Sequence, residues 1–342
     1  MVTRIQEVIP LVKKAIPFRA AAAAATALVL AGCGGVETST GGGGGGDYPS
    51  GSVEMYVGAS AGGSSDLISR AVSKGLSDAL GQSFPVINRE GANGALAASE
   101  VASAQPDGST IAIQNASLFM ITPLAVGEDE VTNLDDFEVV HGVSRDDYVL
   151  VTTPDSGYKT LDDLKSASNK IDYGTTGVGT GSQLAQALLF NEFGVEATDV
   201  PFDGGAPTLT ALLGNQVDVA ALQVGEAIEN IESGKLVPLT VFGPERVEYL
   251  PDVPTAQEQG VDVDVAQYRF MTVPKGTPDE VTDRLIEGLE ETFATEEYQK
   301  FNEQNSLTPM EIPGDEVVAQ LEEDKERYAG LVEQYGISLG EA

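Results

Sequence analysis

Residues 57–76 read VGASAGGSSDLISRAVSKGL: an apolar strand, a loop of almost nothing but Gly, Ala and Ser, then an amphipathic helix. Side chains that small supply no acid, base or metal ligand, and what they expose is backbone. The first turn of a helix leaves four N–H groups unpaired and carries roughly half a positive charge from the macrodipole. Gly and Ala let a ligand come close to those groups. The chemistry implied is the binding of an anion without cationic side chains. Two later loops repeat the pattern. YGTTGVGTGSQ (173–183) follows a strand and opens a helix, with Gly177, Gly179 and Gly181 alternating with small residues. VPFDGGAPT (200–208) does likewise and sets Pro207 at a first helical position, which needs no N–H. In the first loop Ser64 or Ser65 is placed to cap the helix. Asp66, in its first turn, reads as a cap or loop brace, because a carboxylate there competes with an incoming one.

Other readings of these glycines fare worse. The first loop lacks the Lys-Ser/Thr ending of a P-loop and the G-x-G-x-x-G spacing of a dinucleotide turn. Gly58-Ala59-Ser60-Ala61-Gly62 is formally G-x-S-x-G, the nucleophile elbow of α/β-hydrolases, so an esterase using Ser60 is the enzymatic alternative. The elbow here follows the first strand of its domain, however. The chain's one histidine, His141, lies in FEVVHGV, which reads as a strand rather than a late catalytic loop. No catalytic residue, cofactor or metal site is assigned.

The elements around the loops alternate. VEMYVG (53–58), FPVIN (84–88) and STIAIQN (109–115) have strand character, with helical periodicity from Leu67 to Leu80 and over 93–104 between them. The rhythm restarts with YVLVTTP (148–154), IDYGTT (171–176), a helix over 182–194, ATDVPF (197–202), a helix over 207–216 and VDVAAL (217–222). LVPLTVFG (236–243) reads as a strand, and 277–293 and 314–336 as charged helices. Two βαβαβ halves predict an α/β protein of two lobes, each a mostly parallel sheet flanked by helices, with ligands at the carboxyl ends of the strands. The expected division is 51–148 plus 270–342 for the first lobe and 149–269 for the second. If the lobes face each other, the three helix N-termini converge on one cleft that favours small carboxylates over bulky polyanions.

The first 32 residues stand apart. Arg4, Lys13, Lys14 and Arg19 precede a short apolar run ending Leu30-Ala31-Gly32-Cys33, the pattern of an exported lipoprotein signal. Cys33 is the single cysteine, which excludes disulfides within the chain and thiolate metal sites, and it precedes the six glycines 41–46 of a tether over 33–50. Lipidation at Cys33 is expected, giving a protein held by a lipid anchor on the outer face of the membrane or in the periplasm. Against 19 Lys and Arg stand 53 Asp and Glu, a net charge of −34. So few cations cannot assemble a nucleic-acid surface. Such acidity repels anions at long range, which makes the local field of backbone dipoles decisive.

Taken together, VGASAGGSSDLISRAVSKGLSDALGQSFPVINREGANGALAASEVASAQPDGSTIAI, YGTTGVGTGSQLAQALL, DVPFDGGAPTLTALLGNQVDVAAL and LVPLTVFGPERVEYLPDVPTAQEQG resemble the Bug proteins, the solute receptors of tripartite tricarboxylate transporters, over nearly all of 53–340. The resemblance implies a two-lobed periplasmic-binding-protein-like fold (type II) that closes on an organic acid and delivers it to membrane transporter subunits, without chemistry and as a monomer. A carboxylate sensor uncoupled from transport is the alternative within that fold. Carried onto this chain, the resemblance places the first-lobe site at Ala59, Ser60, Ala61, Gly62, Gly63, Ser64 and Ser65, with Asp66 beside them. The second-lobe site becomes Thr176, Gly177, Gly179, Thr180, Gly181 and Ser182, joined by Asp203, Gly204 and Gly205, while Asn115 and Ser117 flank the cleft. This chain departs from the family at Gly58 and Ala59, where Pro and an aromatic are common. It departs again at Gln183, where His is usual, and at Asp203, where a basic or polar residue is common and an acid either repels a carboxylate or receives a ligand amine. Arg89 reads as a turn or surface residue, and Tyr268 and Arg269 as lying near the hinge.

Overall fold

The computed structural model describes residues 48–340. The signal segment 1–32, Cys33 and the tether as far as residue 47 lie outside the described residues, as do residues 341 and 342.

The first half begins with β1 (Glu54–Val57), whose Met55 and Val57 are buried, and α1 (Ser64–Leu80), which ends at Gly81 in the left-handed conformation. β2 (Val86–Asn88), α2 (Ala95–Ala102) and β3 (Thr110–Asn115) complete a βαβαβ unit. β2 and β3 pair in parallel with opposite sides of β1. A short α3 (Ser117–Met120) leads into β4 (Phe137–Thr152), a strand of 16 residues. The next unit comprises α4 (Leu161–Lys165), β5 (Ile171–Thr175), α5 (Gly181–Phe193), β6 (Ala197–Pro201), α6 (Gly205–Leu213) and β7 (Val219–Gln223). β6 and β7 flank β5 in parallel, so the winding of the first unit is repeated. α7 (Val224–Glu232), β8 (Val237–Val241), β9 (Ala266–Pro274), α8 (Asp279–Phe293), α9 (Glu296–Gln304) and α10 (Gly314–Tyr335) follow.

The strands run in the order β2-β1-β3-β9-β4-β7-β5-β6, with β8 also on β4. The parallel triplets are joined by two antiparallel strands, and β4 does most of the joining. Its residues 137–147 pair with β9, whereas Tyr148–Thr152 pair with β7 and β8. Register shifts between Val139 and His141 and between Gly142 and Ser144 bend it on the way. The architecture is the two-lobed α/β fold expected, with FEVVHGV and YVLVTTP merged into one strand that passes from one sheet to the other.

Each sheet buries its own core. Met55, Ile111, Met271 and Val273 pack against Ile68, Leu76, Leu285 and Leu289. Here α1 and α8 run so close that a Cβ on Gly75 would overlap Thr292. In the second lobe Val149, Val151 and Leu222 meet Leu212, Ala227 and Ile228. Val317, Leu321 and Tyr328 of α10 share one core with Leu184 and Leu188 of α5. No helix among the described residues is long and apolar enough to cross a membrane.

Candidate functional site

The strand order reverses direction beside β1 in one unit and beside β5 in the other, which is where a doubly wound sheet opens a crevice. The chain leaves the carboxyl ends of β1, β3, β5, β6 and β7 around one cavity of about 410 Å3, within the ~300–1,000 Å3 of small-molecule sites. Four helices begin on its wall: α1, α5, α6 and α7.

On the first side the wall is made by Ala59, Ser60, Gly63 and Ser64, with Ser65 below them and Asn115 at the end of β3. Gly63 is the extended N-cap of α1, and no side chain caps that helix. Neither serine therefore fills the capping role expected of it. Ser64 donates to Glu226 at 3.0 Å and Ser65 to Asn115 at 3.0 Å, leaving the first-turn N–H groups without a side-chain acceptor. Gly58 has no freedom to be larger, because a Cβ there would overlap Gly94. Ala61 and Gly62 form the exposed outer face of the turn, and Asp66 is buried behind it. The Asp66 carboxylate accepts from the Gly62 N–H at 2.8 Å, from Asn88 at 2.9 Å and from Arg70, and these bonds hold it below the usual carboxylate range against the opposing effect of burial. Asp66 braces the loop.

On the second side Thr176, Gly177 and Thr180 line the cavity, as do Asp203, Gly204 and Gly205. The remaining residues expected there hold the loop from behind. Gly179, with φ +70°, donates its N–H to Gln183 at 2.9 Å. Gly181 lies where a Cβ would press on the Tyr148 ring at 2.7 Å. Ser182 donates to the Ala221 carbonyl at 2.7 Å. Ser117, expected beside the cleft, is buried beneath it, accepting from Asn93 at 2.9 Å. α5 is capped by Thr180, whose hydroxyl accepts from the Gln183 N–H. α6 starts after Gly204, at φ +101°, with no side-chain cap.

Several wall residues escaped the sequence reading. Asn93, in the NREGANG turn, donates to Thr122 at 3.0 Å and to the Gly179 carbonyl of the opposite lobe at 3.2 Å. Gln223 ends β7 as the N-cap of α7 and Glu226 lies in that helix's first turn; the helix was not anticipated, although the two residues, spaced three apart before an apolar stripe, form a capping box. Arg269, read from the sequence as near the hinge, is reached from β9 and is the wall's one cation. Its guanidinium is almost wholly buried, with 1 % of the side chain exposed. It donates from Nε to Ser65 at 2.7 Å, from Nη2 to Gln223 at 2.6 Å, and from Nη1 to Ser144 and to the Asp146 carboxylate. The pair with Asp146 neutralises it, and its partners belong to both lobes.

Three acids stand on the same wall. Glu90 and Asp203 are exposed at the rim, whereas Glu226 is partly buried. Burial pushes the Glu226 carboxyl above its ordinary range, opposed by Arg269 and by the bonds from Ser64 and the Gln223 N–H. A Cβ on Gly205 would overlap that carboxylate, so the glycine makes room for the acid. Ser60 lines the cavity but His141 does not; the imidazole is buried in β4 against Phe293, with Nδ1 2.7 Å from the Gly142 carbonyl. The elbow and the histidine are not brought together. Arg89 pairs with Glu100 on the surface at 3.0 Å.

The sequence of residues 68–337 matches the model of the tripartite tricarboxylate transporter family receptor. Protein BugT of Bordetella pertussis is 28% identical over 302 residues, 85% of this chain and 91% of that one. Among solved structures, the periplasmic binding protein BugD superposes with a TM-score of 0.79 at 28% identity, covering 86% of this chain and 100% of BugD. Rhodopseudomonas palustris Rpa4515, solved with adipate, superposes with a TM-score of 0.81 at 26% identity, covering 85% and 99%.

Proposed function

This chain belongs to the tripartite tricarboxylate transporter receptor family, and from that premise we propose that it captures a small organic carboxylate in the cavity between its lobes and delivers it to membrane transporter subunits. In this reading the lobes, residues 51–148 with 270–342 and residues 149–269, close as a clamp about β4 and β9. The chain works as a monomer tethered through a lipid on Cys33, outside the cytoplasm, and performs no chemistry on its cargo.

The observation that carries the reading is the convergence of four helix N-termini on one cavity, two of them, α1 and α6, without side-chain caps. Each such dipole contributes ~0.3–1 kcal/mol at an exposed site and up to ~2 kcal/mol when partly buried. A micromolar complex requires about 8 kcal/mol, so several N–H groups and hydroxyls must act together. The adipate held by Rpa4515 supports a carboxylate as the cargo.

Thermal shift followed by calorimetry, across mono-, di- and tricarboxylates and amino acids, tests it. The expected result is a raised melting temperature and a dissociation constant in the micromolar range or below for at least one acid. A melting temperature unmoved by every acid at millimolar concentration overturns the reading.

A further inference from the structure

The charge on the cavity wall does not suit a ligand that is only an anion. Arg269 is the single cation there, and it is spent on Asp146. Against it stand Glu90, Asp203 and Glu226, in a chain whose net charge is already −34. A di- or tricarboxylate would bring two or three more negative charges into that field. Like charges a few ångströms apart in a partly desolvated site repel each other by several kcal/mol.

The wall is also divided by chemistry. α1 and α6 begin with glycine caps and no side-chain acceptor, so their first-turn N–H groups remain for an anion. α7 begins with a capping box in which Glu226 occupies the end of its own helix, and its positive pole is already answered. Glu226 accepts only from Ser64 and, at 3.4 Å, from the Gln223 N–H. A carboxylate has about four lone-pair sites, which leaves capacity for a donor inside the cavity. Gly205 and Glu226 are matched in space, since any side chain at 205 would displace the carboxylate. Asp203 sits one residue before the α6 cap, so an acid at the rim adjoins an uncapped helix N-terminus within one turn of chain.

We propose that the cleft selects a zwitterion: a small carboxylate that also carries a cationic nitrogen, its carboxylate at the N-termini of α1 and α6 and its nitrogen against Glu226 and Asp203. This deepens the receptor reading above and rests on it. Glu226 is the specificity determinant within the cleft, and Asp203 and Glu90 draw the cation toward its mouth. The cargo is an amino acid or a betaine rather than a dicarboxylate.

The test is calorimetry on the full mature chain with matched probes: straight-chain α- and ω-amino acids of two to six carbons, glycine betaine, and the same acids without the nitrogen. In the parent, at least one nitrogen-bearing acid should bind tenfold or more tightly than its nitrogen-free partner. In Glu226→Gln, which keeps an oxygen for Ser64, that preference should fall at least tenfold, and Asp203→Asn, on the exposed rim, should reduce it severalfold without touching the fold. Circular dichroism checks that both variants are folded. If plain acids bind as tightly as their amino counterparts, or if the preference survives both substitutions, the inference is overturned while the receptor reading stands. If no probe of either kind binds and the wider acid panel is also silent, both fall together.

Discussion

The Ser64 hydroxyl donates to the Glu226 carboxylate at 3.0 Å, joining the first turn of α1 in one lobe to the first turn of α7 in the other across 162 residues of sequence. With Asn93 reaching the Gly179 carbonyl, this bond ties the two walls of the cavity together by hydrogen bonds. A hydrogen bond to a charged acceptor contributes about 1.5–3 kcal/mol.

Ser64→Ala should therefore weaken the link between the two walls and speed ligand release by roughly tenfold. Stopped-flow dissociation measures it, and a parent-like off-rate would show that the bond contributes nothing to closure.

Gly63→Leu should abolish binding while the protein still folds. The position has an ordinary φ of −76° and only the Ser60 carbonyl, 3.4 Å from a built Cβ, nearby. A leucine can therefore be accommodated by the backbone, but its bulk would stand on the cavity wall over the uncapped N–H groups. Parent-like affinity by calorimetry would mean that the ligand does not use the start of α1.

Arg269→Met should cost about 3–5 kcal/mol of stability, because Asp146 is left buried and unpaired. Replacing both, as Asp146→Leu with Arg269→Met, should recover much of that loss. Urea denaturation of the single and double variants decides the matter. Equal instability in both would assign the effect to packing rather than to the stranded charge.

Asp147, beside Arg145 at 3.4 Å, has its carboxyl pushed up from 3.8 to about 6, chiefly by burial. An acid whose folded pKa is raised stabilises the fold below its unfolded pKa and loses that contribution as the pH climbs through the folded value. Asp147→Asn should thus be more stable than the parent by up to about 3 kcal/mol above pH 7, with the gap closing below about pH 4. Denaturation curves that stay parallel from pH 4 to pH 8 would contradict it.

Much of the fold is legible in the chain. The helix stop at Gly194, the strand-to-helix turns after residues 57, 175 and 201, and the two βαβαβ halves all arise from patterns a few residues long. Such signals survive because apolar periodicity and glycine's access to positive φ are local properties. The site is less legible. α7 carries a capping box and a clear apolar stripe and still passed unnoticed, since nine residues directly after a buried strand fall short of the length at which a helix is told from a strand. Gly179, Gly181 and Ser182 have the small-residue look of ligand-binding positions, but space behind the loop claims them: Thr122, Tyr148 and the Ala221 carbonyl stand against them. Size alone does not separate a residue kept small for a ligand from one kept small for its neighbours.

By itself, then, the sequence determined the kinds of element, their order and the three loops where helices start after strands, because each depends on neighbours within a turn or a strand length. Only the tertiary structure decided which helix starts remain uncapped, that Arg269 is spent on Asp146, and that Glu226 faces the same space as Ser64. Those outcomes depend on pairs such as Ser64 with Glu226 and Ser65 with Arg269, 162 and 204 residues apart. No local periodicity encodes such pairs; they exist once β4 and β9 have drawn the two lobes together.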